Sequence, residues 1–353
     1  METQRQRGAL SQMQGRFETV ERTAFDDGWE REDEPLEPLQ TTVTVERARS
    51  IISKNDSPDI PFDQSINPYR GCEHGCIYCY ARPSHAYLEL SPGLDFETKL
   101  FAKTNAAELL RETLARPGYA PQPIALGANT DCYQPIERKF KITRQILEVL
   151  AECEHPVTLV TKSALVERDL DLLAPMAAKN LVKVFVSIGT LERELARKLE
   201  PRAASPQRRL DILRKLNEHK VPCGVMVAAL IPGLNDKTME QVLEAAAAAG
   251  AAEAAYVILR LPNELKTVFK EWLAEHYPQR AEHVISIVRQ MRGGRENDPN
   301  FGSRMSGTGN YAELMEKRFD IACRRFGLNK RETPDLDCER FRPPSPSGQL
   351  KLL

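Results

Sequence analysis

The sequence predicts an α/β fold, a partial parallel β/α barrel of about six units. Short apolar runs of strand length alternate with amphipathic stretches of helix length through residues 61–265. Strands that alternate with helices pair in parallel through right-handed crossovers. About six such units in about 200 residues suit a partial barrel better than the complete eight-stranded form.

Apolar runs mark the predicted strands, and the amphipathic segments between them mark the predicted helices. Ser205 can cap the third helix, with Pro206 at its first position, and Gly250 can end the fourth. The strands are expected at residues 65–69, 123–128, 156–161, 181–187, 221–230 and 254–261, and the helices at 142–152, 169–179, 205–219 and 238–249.

Two segments of different composition flank the barrel. A polar N-terminal arm, residues 1–60, includes DDGWEREDEPLE at 26–37, where seven acidic residues accompany one Arg. Because such a stretch has too little apolar surface to offset the entropy of ordering, we expect a solvated arm. Residues 266–353 are expected to form a C-terminal helical and loop extension that helps to close the barrel mouth, with an amphipathic helix at 311–326.

The charge balance argues against some classes of protein. Lys and Arg number 49 and Asp and Glu number 50, so the formal net charge is −1, which gives no electrostatic case for a nucleic-acid carrier or a membrane-surface protein. No apolar run of roughly 18 residues is present, so no membrane partner is expected. The N-terminal residues lack the apolar stretch of a secretory signal, which predicts a cytoplasmic location.

Three of the eight cysteines, Cys72, Cys76 and Cys79, fall in one short loop after the first predicted strand. In a reducing compartment this C-x3-C-x2-C spacing indicates a metal or cluster site. A structural zinc ion or a ferredoxin cluster takes four protein ligands. Three thiolates on a four-iron cluster would leave one iron open to a ligand from outside the protein. His74, inside the loop, leaves a Cys3His zinc site as the alternative.

The loop CEHGCIYC resembles the cluster motif CxxxCxYC of the radical S-adenosylmethionine (SAM) superfamily. The surrounding sequence, SINPYRGCEHGCIYCYARPSHAYLELSPGLDFETK, is similar to that of spore photoproduct lyase and its DNA repair photolyase-like relatives. The resemblance continues through GANTDCYQPIE, VTKSALVERDLDLL, EPRAASPQRRLDILRKL, IPGLND and RGGRENDPNFGSRMSGTGNY, and so covers most of the chain. It indicates a bacterial group of radical SAM proteins whose substrate is unassigned.

This resemblance implies that residues 61–265 are a radical SAM core barrel in which Cys72, Cys76 and Cys79 bind a 4Fe-4S cluster. In that superfamily the open iron binds SAM, and reductive cleavage of SAM gives a 5′-deoxyadenosyl radical that abstracts hydrogen from the substrate. The substrate here is unidentified, and the electron donor is expected to be a protein such as flavodoxin or ferredoxin. Tyr78 matches the aromatic residue whose backbone contacts adenine.

The carboxyl ends of the predicted strands supply the expected SAM pocket, because active sites of such barrels lie at that edge. A lysine there can pair with the SAM carboxylate, and hydroxyl groups suit its ribose. Arg202 and Arg209 can also face the carboxylate, although Arg209 can equally be a solvated helix residue. By resemblance to the lyase, the residues that hold SAM are Thr130, Lys162, Ser187 and Ala229.

One departure from the lyase concerns its hydrogen donor. Ala128 stands where the lyase carries a hydrogen-donating cysteine, and Cys132 lies on the far side of Asp131. This speaks against thymine-dimer repair by the same radical relay. DNA photolesion repair by a modified route is one alternative function, and a non-catalytic metal-binding or nucleic-acid-binding protein is another. Rim position makes Asp131, Tyr133, Glu137 and Arg260 the candidates for substrate contacts.

A basic segment near the C-terminus keeps nucleic acid open as a substrate. In KRFDIACRRFGLNKR, residues 317–331, six basic residues accompany one acid, and such a helix with aromatic side chains can bind phosphates and stack on bases. The favoured interpretation is instead a helix that covers the barrel, with Phe319, Ile321 and Phe326 turned inward.

Overall fold

The computed structural model describes residues 7–18, 39–330 and 335–344. The strands are β1 (Thr42–Glu46), β2 (Ile52–Lys54), β3 (Gln64–Ile66), β4 (Tyr69–Arg70), β5 (Lys99–Lys103), β6 (Ile124–Leu126), β7 (Val157–Thr161), β8 (Val182–Ser187), β9 (Cys223–Leu230) and β10 (Glu253–Ile258). The helices are α1 (Asp95–Thr98), α2 (Ala106–Leu114), α3 (Glu137–Phe140), α4 (Ile142–Glu152), α5 (Leu170–Ala178), α6 (Arg193–Leu199), α7 (Pro206–Glu218), α8 (Met239–Ala248), α9 (Leu265–His276), α10 (Pro278–Gln290) and α11 (Asn310–Phe326).

The main sheet has the strand order β10-β9-β8-β7-β6-β3-β2. From β3 to β10 every neighbouring pair is parallel, and only β2 pairs antiparallel with β3. The parallel strands are connected by α helices, and their apolar side chains form the main core with the helices that cover them. This is the expected partial α/β barrel, with its six parallel strands in sequence order.

The first predicted strand, at 65–69, is divided between two sheets. β3 ends at Ile66, and after Pro68, which lacks an N–H to continue the ladder, the chain enters β4. β4 pairs antiparallel with β5, which also pairs in parallel with β1. This second, three-stranded sheet therefore leads the chain from the barrel edge into the cysteine loop.

The predicted helices agree closely with the structure. α4 has the expected bounds, Ile142–Glu152. α7 begins at Pro206, and the Ser205 hydroxyl accepts a hydrogen bond from the N–H of Arg208, the capping expected from the sequence. After α8, Gly250 adopts a φ of 99°, a left-handed conformation that ends the helix at low cost.

The C-terminal helix α11 packs on the outside of the barrel. Phe319 is buried and its ring is tilted by 49° against that of Tyr256 on β10, with centroids 4.7 Å apart, and Arg318 binds both carboxylate oxygens of Glu240 on α8. Ile321, expected to face inward, is instead 58% exposed. The two-residue offset from Phe319 rotates Ile321 by about 200° around the helix axis, so only one of the two can face the barrel.

The acidic segment 26–37 and Arg331 lie outside the described residues. Residues 7–9 of the N-terminal arm, which was expected to be solvated, are instead buried beside the cysteine loop, with Ala9 fully excluded from solvent. No helix in the described part of the chain is long and apolar enough to cross a membrane.

Candidate active site

The three cysteines lie in the loop of residues 71–79, directly after β4. Cys72 and Cys76 are buried and Cys79 is half-buried. The N–H of Gly75 donates to the carbonyl of Cys72 at 3.3 Å, and the N–H of Cys79 donates to the carbonyl of Cys76 at 3.2 Å. These bonds fold the loop into two successive turns. Gly75 has a φ of 66°, which favours glycine at this position.

The three thiols are close enough to influence one another's ionisation. Burial raises the pKa of the Cys72 thiol well above its usual range, and Asp131, Cys76 and Cys79 raise it further. Burial also raises the pKa of Cys76 to about 12, even though the Lys162 ammonium acts to lower it. Without a metal Cys72 and Cys76 therefore hold protonated thiols, and metal binding must release their protons.

A buried ion pair supports the loop from behind. The Arg82 guanidinium donates to the carbonyls of Gly75 (3.1 Å) and Cys76 (3.0 Å) and to the Glu97 carboxylate (2.5 Å). Both charged side chains are fully excluded from solvent. Glu97 also accepts hydrogen bonds from the N–H groups at residues 8 and 9 of the N-terminal arm. The loop and the arm are thus joined through one carboxylate.

A second set of contacts holds the start of the loop. The buried Gln134 amide donates to the carbonyl of Gly71 at 3.0 Å and accepts from the N–H of Glu73 at 2.9 Å. The Glu73 carboxylate in turn accepts a hydrogen bond from Arg202 at 3.1 Å. Arg202, a sequence candidate for the SAM carboxylate, is therefore engaged with the cysteine loop itself.

His74 faces a carboxylate. Its Nδ1 atom lies 3.2 Å from Oδ2 of Asp131, which also accepts hydrogen bonds from the Thr161 hydroxyl and the Lys162 N–H, each at 2.7 Å. Although burial alone would raise the pKa of Asp131, His74 and these donors hold it near 2. This contact makes Asp131 a positioning residue that connects β6, β7 and the cysteine loop.

Four side chains from separate elements meet beside Cys76. The Lys162 ammonium lies 5.8 Å from the centroid of the Tyr78 ring, and the Tyr78 hydroxyl donates to Glu200. Glu200 also accepts from Arg209, whose side chain is buried rather than solvated. Burial would lower the pKa of Lys162, but the neighbouring Cys76 and Glu200 outweigh it and raise that pKa. The charged form of Lys162 is thus favoured within this group of side chains.

Two of the strand-end residues, Ser187 and Ala229, lie near Tyr78. The Ser187 hydroxyl donates to the carbonyl of Ala228 at 3.1 Å, the same carbonyl that the Tyr78 hydroxyl approaches at 3.4 Å. Ala229 follows in β9, and its carbonyl accepts from the Asn235 amide at 3.0 Å. The structure therefore brings Ser187 and Ala229 toward Tyr78 and Lys162.

Thr130 lies at the end of β6. Its hydroxyl donates to the carbonyl of Tyr69 at 3.1 Å, in the strand that leads into the cysteine loop. Thr130 also lines a cavity on the flank of the barrel mouth. Its side chain thus has a partner in this structure.

Of the residues expected to contact substrate, Arg260 occupies the mouth. Its guanidinium lies 5.7 Å from the centroid of the Tyr80 ring, whose hydroxyl donates to the carbonyl of Ala128. Glu137 is fully buried and binds Arg168 and the hydroxyl of Tyr69. Its position below the surface makes Glu137 a structural residue.

Two further residues named from the sequence are buried. Tyr133 is completely buried, with the Arg168 guanidinium 6.0 Å from its ring centroid. Cys132 is also completely buried, and burial raises the pKa of its thiol well above the usual range. Cys132 is therefore a small core residue in this structure.

Four buried polar residues that position the loop carry no signal in the sequence. Arg82, Glu97, Gln134 and Glu200 lie outside the cysteine motif, and their partners are distant along the chain. Of these four, Arg82 is the one close to the motif, three residues after Cys79. A charged residue after a turn is ordinarily exposed, so its burial could not be expected from the sequence. In the described residues no group of three or more His, Cys, Asp or Glu side chains is arranged around a single metal ion.

The fold is similar to that of spore photoproduct lyase. Spore photoproduct lyase complexed with dinucleoside spore photoproduct aligns with a TM-score of 0.59 at 16% identity, over 81% of this chain and 80% of the lyase. A mutant of that lyase with bound AdoMet and dinucleoside spore photoproduct aligns with a TM-score of 0.52 at 17% identity, over 80% and 78% of the two chains.

Sequence comparison supplies the family. An uncharacterized protein of Mycobacterium tuberculosis H37Rv is 38% identical over 233 residues, which cover 65% of this chain and 68% of the relative. An uncharacterized protein of Methanocaldococcus jannaschii is 28% identical over 220 residues, 62% of this chain and 78% of the relative. Residues 66–246, from β3 into α8, match the Radical SAM superfamily. The chain therefore belongs to the Radical SAM superfamily and is an enzyme of that kind.

Proposed function

We propose that this enzyme holds a 4Fe-4S cluster on Cys72, Cys76 and Cys79 and cleaves S-adenosylmethionine to begin a radical reaction. When bound, the reduced cluster supplies the electron that converts SAM to methionine and a 5′-deoxyadenosyl radical, which abstracts hydrogen from the substrate. The observation that carries this proposal is the placement of the Lys162 ammonium 5.8 Å from the ring centroid of Tyr78, which lies between Cys76 and Cys79 in the cysteine loop.

Lys162 is suited to bind the carboxylate of SAM. Its ammonium is buried among charged groups in which Cys76 and Glu200 favour its charged form. A charge-assisted hydrogen bond from this ammonium would orient the amino-acid end of SAM toward the open position of the cluster. Asp131 positions Lys162 because it accepts a hydrogen bond from the Lys162 N–H at 2.7 Å.

Other residues fit the nucleoside end. The Tyr78 backbone matches the adenine contact of the superfamily, and its ring is fixed by Glu200 and Arg209. Ser187, Thr130 and the backbone of Ala229 lie at carboxyl ends of β8, β6 and β9, where their hydroxyl and carbonyl groups suit ribose and adenine. In this structure the two hydroxyls donate to backbone carbonyls, and the Ala229 carbonyl accepts from a side-chain amide. On binding, polar groups of SAM would replace these partners.

An external protein is needed to deliver the electron. We assign this role to a small carrier such as flavodoxin or ferredoxin. The cysteine loop lies close to the surface at Cys79, which is half-buried, while Cys72 and Cys76 are buried. Burial of the remaining loop excludes water from the reactive centre.

Repair of a DNA photolesion is the second candidate function. The fold similarity to a lyase complexed with dinucleoside spore photoproduct supports it. Ala128 offers no hydrogen-donating thiol at the position where the lyase carries one, and Cys132 is completely buried. Under this proposal hydrogen returns to the product by another route, and ultraviolet-irradiated DNA is the substrate to add first.

The test is anaerobic reconstitution with iron and sulfide, reduction with dithionite, and chromatography of 5′-deoxyadenosine formed from SAM. Cys76→Ala should abolish both iron binding and the product. Cys132→Ala is the matched control, since it removes a buried thiol outside the loop and should retain both. Zinc in place of iron, or a wild-type cluster that forms no 5′-deoxyadenosine, would contradict the proposal and favour a non-catalytic metal-binding protein.

A further inference from the structure

A polar cavity of about 540 Å³, the one that Thr130 lines, opens on the flank of the barrel mouth. We call it the basic cavity. Its volume is within the range of about 300–1,000 Å³ typical of small-molecule sites. Polar and charged side chains predominate in its lining, among them Glu46, Arg47, Arg49, Asn67, Arg70 and Lys103.

The charges of this lining do not balance. Its three arginines and one lysine face one glutamate, so the formal charge is 4 − 1 = +3. Arg70 neutralises the negative charge of Glu46, because it donates two hydrogen bonds of 2.8 Å each to the Glu46 carboxylate. Arg47 is 3.6 Å from Glu108, but these side chains are 77% and 63% exposed, where an ion pair contributes little. Most of the positive charge is therefore available to a ligand.

Lys103 brings one of these charges below the surface. Its ammonium donates to the carbonyl of Asn67 at 2.9 Å, and burial together with the neighbouring Arg70 lowers its pKa. An anion in the cavity would compensate this charge. The Asn67 side chain is fixed by accepting a hydrogen bond from the N–H of Asn129 at 2.8 Å, which leaves its amide N–H groups to donate.

The basic cavity shares its wall with the proposed active site. Asn129 and Thr130 follow β6 at the barrel mouth, and Tyr69 lies in the strand that enters the cysteine loop. Ser84 and Leu88 belong to the 3-10 helix that follows Cys79. A ligand that is held by one group in the basic cavity can thus extend into the barrel mouth.

We propose that the basic cavity binds a phosphate group of the substrate; its role in catalysis rests on the proposed radical SAM function. Guanidinium groups form paired hydrogen bonds with phosphate oxygens, and an excess of three positive charges suits a dianion. Serine, threonine and asparagine groups supply further donors, whereas apolar side chains that would select an uncharged ligand are few. The phosphate can belong to a nucleotide or to the backbone of a nucleic acid.

The test is a binding titration of the reconstituted enzyme without SAM, at low and high salt. The probes are thymidine 5′-monophosphate, thymidine and a single-stranded oligothymidylate. Arg47→Ala combined with Arg49→Ala should weaken binding of a phosphorylated probe by about tenfold or more, the loss expected for a charge-assisted hydrogen bond. Both side chains are exposed, so the substitutions leave the core intact. Arg280→Ala, an exposed arginine of α10, is the control and should change nothing.

The probes distinguish the two sources of phosphate. Tighter binding of the oligomer assigns the site to a nucleic-acid backbone. The slope of log K against log salt concentration should then be smaller in the double variant, by the equivalent of about two phosphate contacts. Tighter binding of the mononucleotide assigns it to a free phosphate monoester. The proposal is overturned if wild type binds neither phosphorylated probe, if thymidine binds equally well, or if the double variant binds like wild type. Failure of wild type to form 5′-deoxyadenosine would instead refute the radical SAM function, without affecting these titrations.

Discussion

Arg82 and Glu97 form an ion pair of 2.5 Å against the backbone of the cysteine loop, with both side chains completely buried. The pair holds two loop carbonyls through Arg82 and two N–H groups of the N-terminal arm through Glu97. A buried ion pair is rarely a large net source of stability, but loss of one partner leaves the other charge uncompensated. The backbone geometry of the cysteine loop thus depends on this buried pair of charges.

Replacing Arg82 with methionine should therefore both destabilise the fold and reduce iron binding. The expected loss in the free energy of unfolding is about 3–5 kcal/mol, since the Glu97 carboxylate remains buried without its cation. Urea unfolding and iron content of the reconstituted protein measure the two effects. Arg111→Met is the control because Arg111 and Glu152 form an exposed pair, whose loss should cost at most about 1 kcal/mol. Equal losses in both variants would contradict this role of Arg82.

The contact between arm and loop predicts a second, more local effect. A Cβ added at Gly8 would lie 1.8 Å from the carbonyl oxygen of Gly75, a backbone atom that cannot move without disturbing the loop. Gly8→Ala should displace the arm, expose the loop, and accelerate bleaching of the cluster absorbance in air by several fold. Gly118→Ala is the control for backbone strain away from the loop, because its φ of 79° disfavours alanine although a Cβ there meets no atom within 4 Å. Identical bleaching rates would mean that the arm does not protect the cluster.

Lys162 can be tested separately from the cluster ligands. Lys162→Met keeps most of the side-chain volume and removes the ammonium that lies over the Tyr78 ring. A charge-assisted hydrogen bond contributes about 1.5–3 kcal/mol, so the Kd for SAM should rise by about 10–100-fold while iron content is unchanged. Equilibrium binding of SAM to the reconstituted protein measures this. Lys179→Met, in an exposed pair with Glu154, should bind SAM like wild type; an unchanged Kd for Lys162→Met would remove Lys162 from the SAM pocket.

Features that depend on close neighbours in sequence were predictable. The bounds of α4, the Ser205 cap of α7 and the order of the parallel strands follow from periodicity and turn chemistry within short windows. The cysteine motif is also local, and its three-residue and two-residue spacings are sufficient to indicate a cluster loop.

Interactions between distant residues were not predictable in this way. Tyr78 and Glu200 are 122 positions apart, and Glu73 and Gln134 are 61 apart, so no pattern in one sequence pairs them. The same limit explains Asp131, which rim position suggested as a substrate contact and which instead binds His74, Thr161 and Lys162. Strand ends indicate which residues reach the mouth, but only the tertiary structure determines which of them already have partners.

His155 makes the stability of the fold depend on pH. It lies outside the active site, and its ring is completely buried. Its Nδ1 lies 2.9 Å from the carbonyl of Pro156, which can only accept, so Nδ1 carries the proton; Nε2, 2.8 Å from the Tyr119 hydroxyl, then accepts. Burial lowers the pKa of His155 from 6.5 to about 4, although the Pro156 hydrogen bond acts in the opposite direction.

The sign of the effect follows from proton uptake. Between pH 6.5 and pH 4 the unfolded chain binds a proton at His155 that the native state does not, so the free energy of unfolding falls as pH falls. From about pH 7 to about pH 5 this group alone should remove about 2 kcal/mol. Urea unfolding at the two pH values should show a smaller loss for His155→Gln than for wild type. His219→Gln, at an exposed position, should keep the wild-type dependence, and a His155→Gln variant that also kept it would show that another group causes the acid sensitivity.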